Sequence, residues 1–383
     1  MKNTLTPLYK LRQPANQAYI KPVVGVFVSR SVIRKLLDQN SLFRINELRQ
    51  ANHVAGVELY FFSIKDADIN KKTIKGTYYC NDTDKWTQKI FPLPDVMYNR
   101  RSAGKISVQV FRDQLIEYGC LLLNPVADFD KWDQHFQLLQ HRDIAKHLPV
   151  TIPYKNIDSL KEMLVLHDKV YIKPRIGRYS RYVIRVSKLL KGGYEYCYYD
   201  KKLVVKYVDS LYELHHRLST ILNGRDSIIQ QAIESDYHSQ DRITDMRAEV
   251  QRNSNGKLEV VAISVRVGDL GSPVTSMRTN ASVYSLEKYF KVMHDYTDEQ
   301  FNRLKGRIVR FLVKIYTGVE GVHGTFGELG IDLVLDNADN PWLIECNAKS
   351  AKVALIESYD KKTIRRAFIN PLAYAKYLAI NKK

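Results

Sequence analysis

At 383 residues, 45 % of them apolar, the chain is long enough for two or three domains with real cores. Fifty-nine Lys and Arg against 41 Asp and Glu leave a formal charge of +18, a field that attracts anionic substrates or polyanions without specifying a function. No run approaches the roughly 18 apolar residues of a membrane span, the start lacks the apolar middle of a secretory signal, and Cys80, Cys120, Cys197 and Cys346 form no CxxC pair, so a cytoplasmic protein with reduced thiols is expected and zinc-ribbon or disulfide frameworks are excluded.

After a polar arm over residues 1–20, "PVVGVFV" is a continuous apolar run of the kind buried in a parallel sheet, and "GVELYFFSI" repeats it beyond a helix-like segment. "FPLPDVMYNRR" and "YGCLLLNP" supply two more strands, so residues 21–125 read as an α/β domain. The texture then changes. "DFDKWDQHFQLLQHRDIAKHLP" has apolar residues at Trp132, Phe136 and Leu139, with Asp at its start and Pro149 beyond its end, which predicts a capped helix opening a second domain over 126–383. A helix at "NIDSLKEMLVLH" leads into the strand "KVYIKP", and "YVIRVSK", "YEYCYYD" and "KLVVKYV" predict an antiparallel meander. Ser210 and Glu213 in capping-box spacing, with Asn223-Gly224 at the far end, predict the helix "SLYELHHRLSTILNG". The strand "DSIIQQAI" closes a central subdomain at about 150–230. Over 231–383, "DMRAEVQRN" and "LEVVAISVRVG" flank the hairpin signal "SNGK", and Thr297 with Gln300 opens the long helix "TDEQFNRLKGRIVRFLVKIYTG". An α/β domain followed by α+β layers suits a nucleotide site between two sheets.

The chemistry concentrates in "LGIDLVLDNADNPWLIECNAK", where two strand-like runs flank the polar turn "DNADNP". A turn centred on Ala338 and Asp339 puts Asp332 directly across from Glu345, and alternation puts Glu345 and Asn347 on one face with Ile344 and Cys346 turned away. Like charges facing each other on paired strands repel, and a divalent cation between them removes the repulsion. Mg²⁺ takes oxygen ligands and typically one or two carboxylates plus phosphates and water. Lys173, at the end of "VYIK" before Pro174, and Lys131 are candidate phosphate contacts, and the basic loop "PRIGRYSR", with Arg178 and Arg181 but one glycine, is a weak phosphate-loop signal. Arg247 and Arg266 at strand positions need anions; Asp245 is a partner open to Arg247, and a terminal phosphate or substrate carboxylate is the other.

"KVYIKP", "SIIQQAI", "DMRAEVQRN", "GELGIDLVLD" and "WLIECNAK", in that order, resemble an ATP-grasp domain. "PLPDVMYNRR" and "DKWDQHFQLL" resemble, more narrowly, the YheC/YheD-type endospore coat-associated proteins. The resemblance implies a pre-ATP-grasp-like α/β domain followed by an ATP-grasp fold of two α+β subdomains, with ATP and Mg²⁺ as cofactors. It assigns Asp332, Glu345 and Asn347 to Mg²⁺, Lys131 and Lys173 to phosphates, and Gln230, Gln231 and Ile233 to the hinge that meets adenine. Arg247, Arg266, Asn280 and Lys349 would face the acceptor side, and an anionic carboxylate molecule or peptide would be the substrate of a carboxylate-amine ligase. Spore coat proteins are the implied partners and the spore an implied location; no nucleic-acid motif is present and nucleic acid is not expected. Relatives usually carry glycine where this chain has Ser180 and Tyr182, paired glycines where Ala281 and Ser282 follow Asn280, and Pro-Gly where Ser350-Ala351 follow Lys349. Glycine permits positive φ and close approach, so its loss leaves a second reading open, a catalytically weakened relative with a structural or binding role at the spore.

Overall fold

The computed structural model describes residues 21–101, 106–177, 180–235 and 242–382; the arm over 1–20 and Arg178 lie outside them. Three sheets follow one another along the chain. In the first, of seven strands, the fully buried Val23–Phe27 pairs in parallel with Glu58–Phe62 and Val96–Asn99, and Leu121–Leu122 extends the parallel part. Continuous apolar runs are what a strand covered on both faces requires. The hairpin formed by Thr73–Cys80 and Lys85–Pro92, unassigned from the sequence, extends this sheet beyond Glu58–Phe62.

The second sheet has six antiparallel strands in the order Lys202–Val208, Tyr194–Asp200, Ile184–Lys188, Lys169–Pro174, Ser227–Gln231, Thr151–Tyr154. The expected meander is its first half. Helices Ile157–Leu166 and Leu211–Leu222 cover one face through Leu160, Met163, Leu214 and Leu218, while Lys173 on the other face meets residues of the third sheet. That third sheet runs Ser282–Ser285, Leu258–Val267, Thr244–Arg252, Glu328–Leu335, Pro341–Asn347. The helix Asp298–His323, opened by the expected Thr297–Gln300 capping box, buries one face through Phe301, Leu304, Ile308, Phe311 and Ile315.

Two features depart from the sequence reading. The segment from Asp128 forms two helices, Lys131–Leu139 with Asp130 as N-cap and Arg142–Ala145. Its Phe136 and Leu139 are exposed at 55 % and 39 %, and the buried residues are Gln134, His135 and Leu138. The C-terminal helix Lys361–Ile380 packs Ala367, Phe368, Leu372 and Ala375 into one core with Val24, Val26 and the helix Phe43–Ala55. The chain therefore returns to its first layer, and the first and third sheets are held together by its own end.

Candidate nucleotide and metal site

Arg247, Asp332 and Glu345 stand in one row across three neighbouring strands, because Arg247 pairs with Asp332 and Asp332 with Glu345. The expected facing of the two acids is present, but by a different route. Pairs near the turn, Leu335 with Pro341 and Leu333 with Leu343, centre on residue 338, and a bulge at Ile344 then restores the Asp332–Glu345 register. A bulge re-aims side chains. Ile344 accordingly does not turn away from Glu345, as alternation predicts, but lines the same cavity; Cys346 does enter the core.

The acids do not meet as bare charges. Arg247 grips both oxygens of Asp332, with Nη2 donating to Oδ2 at 2.7 Å, and Arg266 Nη2 lies 3.2 Å from Oδ1. Burial pushes the Asp332 carboxyl up, but the two guanidiniums outweigh it and hold the pKa below the usual value. Arg266 donates to both oxygens of Asp245 at 2.6 and 2.7 Å, and Thr275 Oγ1 donates to Asp245 at 2.6 Å. The pairing offered from sequence is corrected here: the ladder sets Asp245 opposite Arg266 and Arg247 opposite Asp332. Glu345 lies 3.5 Å from the Lys131 ammonium. With its amide nitrogen 3.2 Å from Glu345 Oε1, Asn347 accepts from Arg247 Nη2 at 3.3 Å, so the three oxygen-bearing side chains converge. Among the described residues no three His, Cys, Asp or Glu side chains could hold a metal by themselves. Two carboxylates and one amide fit a Mg²⁺ that arrives with phosphate oxygens.

The second sheet builds the facing wall. Lys131 N donates to Arg175 O at 3.0 Å and Arg175 Nε donates to Asp130 at 3.0 and 3.1 Å, stapling the helix start to the end of the strand Lys169–Pro174, which carries Lys173. Lys173 Nζ donates to Gln230 Oε1 at 2.7 Å, and Gln230 Nε2 donates to Thr151 Oγ1 at 3.2 Å. Burial lowers the Lys173 ammonium to about 8, against the pull of Glu345. Lys131, Lys173, Gln230, Ile344 and Glu345 line one cavity of about 20 Å³. A wider cleft of about 490 Å³ is lined by the next residues along the same strands, among them Gln231, Ile233, Glu234 and Trp342. Gln231 turns its amide oxygen to Val150 N at 3.1 Å.

Two assigned residues lie apart. Lys349 donates to Arg101 O at 2.6 Å and stands 3.5 Å from Asp128, tying the end of the strand Pro341–Asn347 to the first layer. Asn280 is exposed at the end of the turn Met277–Thr279 and lines neither cavity, because that turn carries it to the surface.

Two of the positions where relatives usually carry glycine, Ser180 and Tyr182, hold φ of 55° and 60°, the conformation glycine adopts most readily. Tyr182 is pinned there by Arg225, whose guanidinium lies 3.9 Å from the ring centroid. Ser350 accepts from Arg100 Nη2 at 2.7 Å through its carbonyl and donates its hydroxyl to Glu249. Gly330 makes room for it, since a Cβ there would lie 3.2 Å from Ser350 Cβ. Gln134, His135 and Trp342 escaped the sequence reading; for the first two the signal was their place three and four residues after Lys131, on one helical face.

With this geometry in hand, the relatives are informative. The YheC/D like ATP-grasp family model matches residues 119–378. The chain is 26 % identical over 380 residues to the endospore coat-associated protein YheD of Bacillus subtilis, covering 94 % of this chain and 80 % of that one. It is 20 % identical to YheC of the same organism, over 84 % and 88 % of the two chains. Among solved structures, the D-alanyl-alanine synthetase A of Vibrio cholerae superposes with a TM-score of 0.53 at 12 % identity, over 92 % of this chain and 99 % of that one. The fold is that of an ATP-grasp ligase. The family model spans most of the chain, and the chain belongs to the YheC/D-like ATP-grasp proteins.

Proposed function

We propose that the protein is an ATP- and Mg²⁺-dependent ligase joining a carboxylate to an amine through an acyl phosphate. One observation carries this reading: Lys173 of the second sheet and Lys131, at the start of the helix stapled to it, face Glu345 of the Asp332–Glu345–Asn347 row across one cavity, with Lys131 3.5 Å from Glu345. Lys131 and Lys173 would neutralise the phosphates, and the cleft by Gln231, Ile233 and Trp342 would take the adenosine end. Mg²⁺, held by Asp332, Glu345 and Asn347, supplies charge neutralisation at the transferred phosphate. The substrate carboxylate oxygen would form the new bond to the γ-phosphorus as ADP leaves; the amine nitrogen would then bond to the acyl carbon, releasing phosphate and losing a proton. Arg247 and Arg266 would orient that intermediate once phosphate competes for them. The domain division at about residue 125 goes with this reading, as do an association with the spore coat, which the name of the relatives supports, and a peptide or amino-acid carboxylate as substrate.

ATP with Mg²⁺ is expected to raise the melting temperature by mass action on the folded state, and Glu345→Gln is expected to abolish that rise. An unchanged rise in the variant refutes the metal assignment. ADP formation dependent on a carboxylate and an amine, screened with amino acids and peptides, selects the ligase over a binding role. Left-handed φ at Ser180 and Tyr182, where relatives usually carry glycine, supports turnover.

The buried lysine gives a pH test. A phosphate beside Lys173 favours its charged form, raising a value of about 8 back toward the ordinary one. ATP binding near pH 8 is therefore expected to take up protons, and affinity to fall at higher pH. Calorimetry in buffers of different ionisation enthalpy reads the uptake. Its persistence in Lys173→Arg would show that another group is responsible.

A further inference from the structure

The helix Lys131–Leu139 buries Gln134 and His135 beside Leu138. Gln134 and His135 are 6 % and 9 % exposed, whereas Phe136 and Leu139 face solvent. Amphipathic helices turn their apolar stripe inward because burial of those side chains drives their packing. Two polar residues on the inward face need another reason, and here that face lines the cavity where Lys131, Lys173, Gln230 and Glu345 stand among Leu148, Ile228 and Leu343. The carboxamide Nε2 of Gln134 is enclosed without a hydrogen-bond partner. Buried amide donors are nearly always paired, since an unpaired one forfeits its hydration for nothing. Gln230, the other amide in the cavity, is committed at both ends, to Lys173 and Thr151. Among the described residues lining the cavity, Gln134 alone carries such an unpartnered buried atom. His135 beside it adds no charge, because burial lowers its pKa to about 4. Gln134 also stands one helical turn beyond Lys131, on the same face.

We infer that Gln134 is a nucleotide-recognition residue, its Nε2 donating to an acceptor of bound ATP, a purine ring nitrogen or a phosphate oxygen. The inference rests on the nucleotide reading above and adds to it a contact that neither charge nor metal supplies. A cavity of about 20 Å³ admits one water and no base, so the two sheets part when the nucleotide enters and the donor finds its partner then.

The test is calorimetric titration of ATP·Mg²⁺, adenosine and magnesium tripolyphosphate into the full chain and into Gln134→Met, which keeps the side chain's length and removes its donor. Gln134→Met is expected to weaken ATP about tenfold, the effect of one lost hydrogen bond, with the nucleotide-free melting temperature unchanged or raised. The fragment that loses the same factor identifies the acceptor: adenosine for a ring nitrogen, tripolyphosphate for a phosphate oxygen. Equal ATP affinity in both proteins overturns the inference. Absence of ATP binding by the unaltered chain overturns the nucleotide reading itself, a distinct result. If Gln134→Met melts lower, Gln134→Asn, which keeps the amide but withdraws it by one methylene, serves for the same comparison, and again an unchanged affinity counts against the role.

Discussion

Replacing Glu328 with glutamine is expected to cost about 3–5 kcal/mol of unfolding free energy, the loss typical of removing one partner from a buried ion pair. Glu328 is fully buried between the first and third sheets. It pairs with the buried Lys352 ammonium, accepts from Arg100 Nη1 at 2.8 Å and from Tyr98 OH at 2.7 Å, and accepts from Gln251 Nε2 at 3.3 Å. Burial pushes the Glu328 carboxyl up, yet Lys352 and Arg100 outweigh it and hold the pKa below the ordinary value. Taking away this charge leaves two cations in low dielectric with one fewer acid, and the neighbouring Glu249 is itself pushed up by burial. Adding Lys352→Met should recover a large part of the loss, because the pair is then removed as a unit. The sign of the pH dependence follows from the lowered pKa: the stabilisation is complete above the ordinary carboxylate value near 4.3 and disappears as pH falls through the lower folded value. Urea unfolding of the two variants between pH 7 and pH 3 checks both parts. A double variant no more stable than Glu328→Gln alone would refute the expected recovery.

Asp332→Ala is expected to destabilise the nucleotide-free protein by a comparable amount, about 3–5 kcal/mol, although the residue is assigned to metal binding. Without nucleotide, its partners are the guanidiniums of Arg247 and Arg266, both largely buried. Site residues usually cost little stability when removed; this one holds two cations in place. Free Mg²⁺ then meets an acid already neutralised, so magnesium alone should leave the melting temperature unchanged while ATP·Mg²⁺ raises it. Arg247→Met should reverse that order and let Mg²⁺ alone stabilise the fold, because Asp332 and Glu345 are then less compensated. Scans of the three proteins with magnesium, ATP and both together test the exchange. A melting temperature of Arg247→Met that stays indifferent to magnesium would remove the arginine from the metal's path.

The sequence by itself determined the layered order of the fold, because that order is set by local rules, whereas the expected opposition of Asp332 to Glu345 is reached through a bulge. Alternation, capping residues such as Ser210 and Thr297, and turn signals such as "SNGK" act over a few residues, and their elements formed as expected. The tertiary structure decided everything that depends on which surfaces meet. The bulge at Ile344 is invisible in the composition of "WLIEC", yet it brings that side chain into the cleft. Which aspartate Arg247 takes was set by the ladder across strands some 85 residues apart in sequence, not by the closeness of Asp245. The inward face of Lys131–Leu139 was misread for the same reason. Apolar spacing reports the face a helix would bury against an apolar neighbour, and this helix lies against a cavity where Lys173, Gln230 and Glu345 stand among Leu148, Ile228 and Leu343. Nor could local pattern show that the last helix returns to the first sheet, since its apolar stripe specifies burial without specifying the partner.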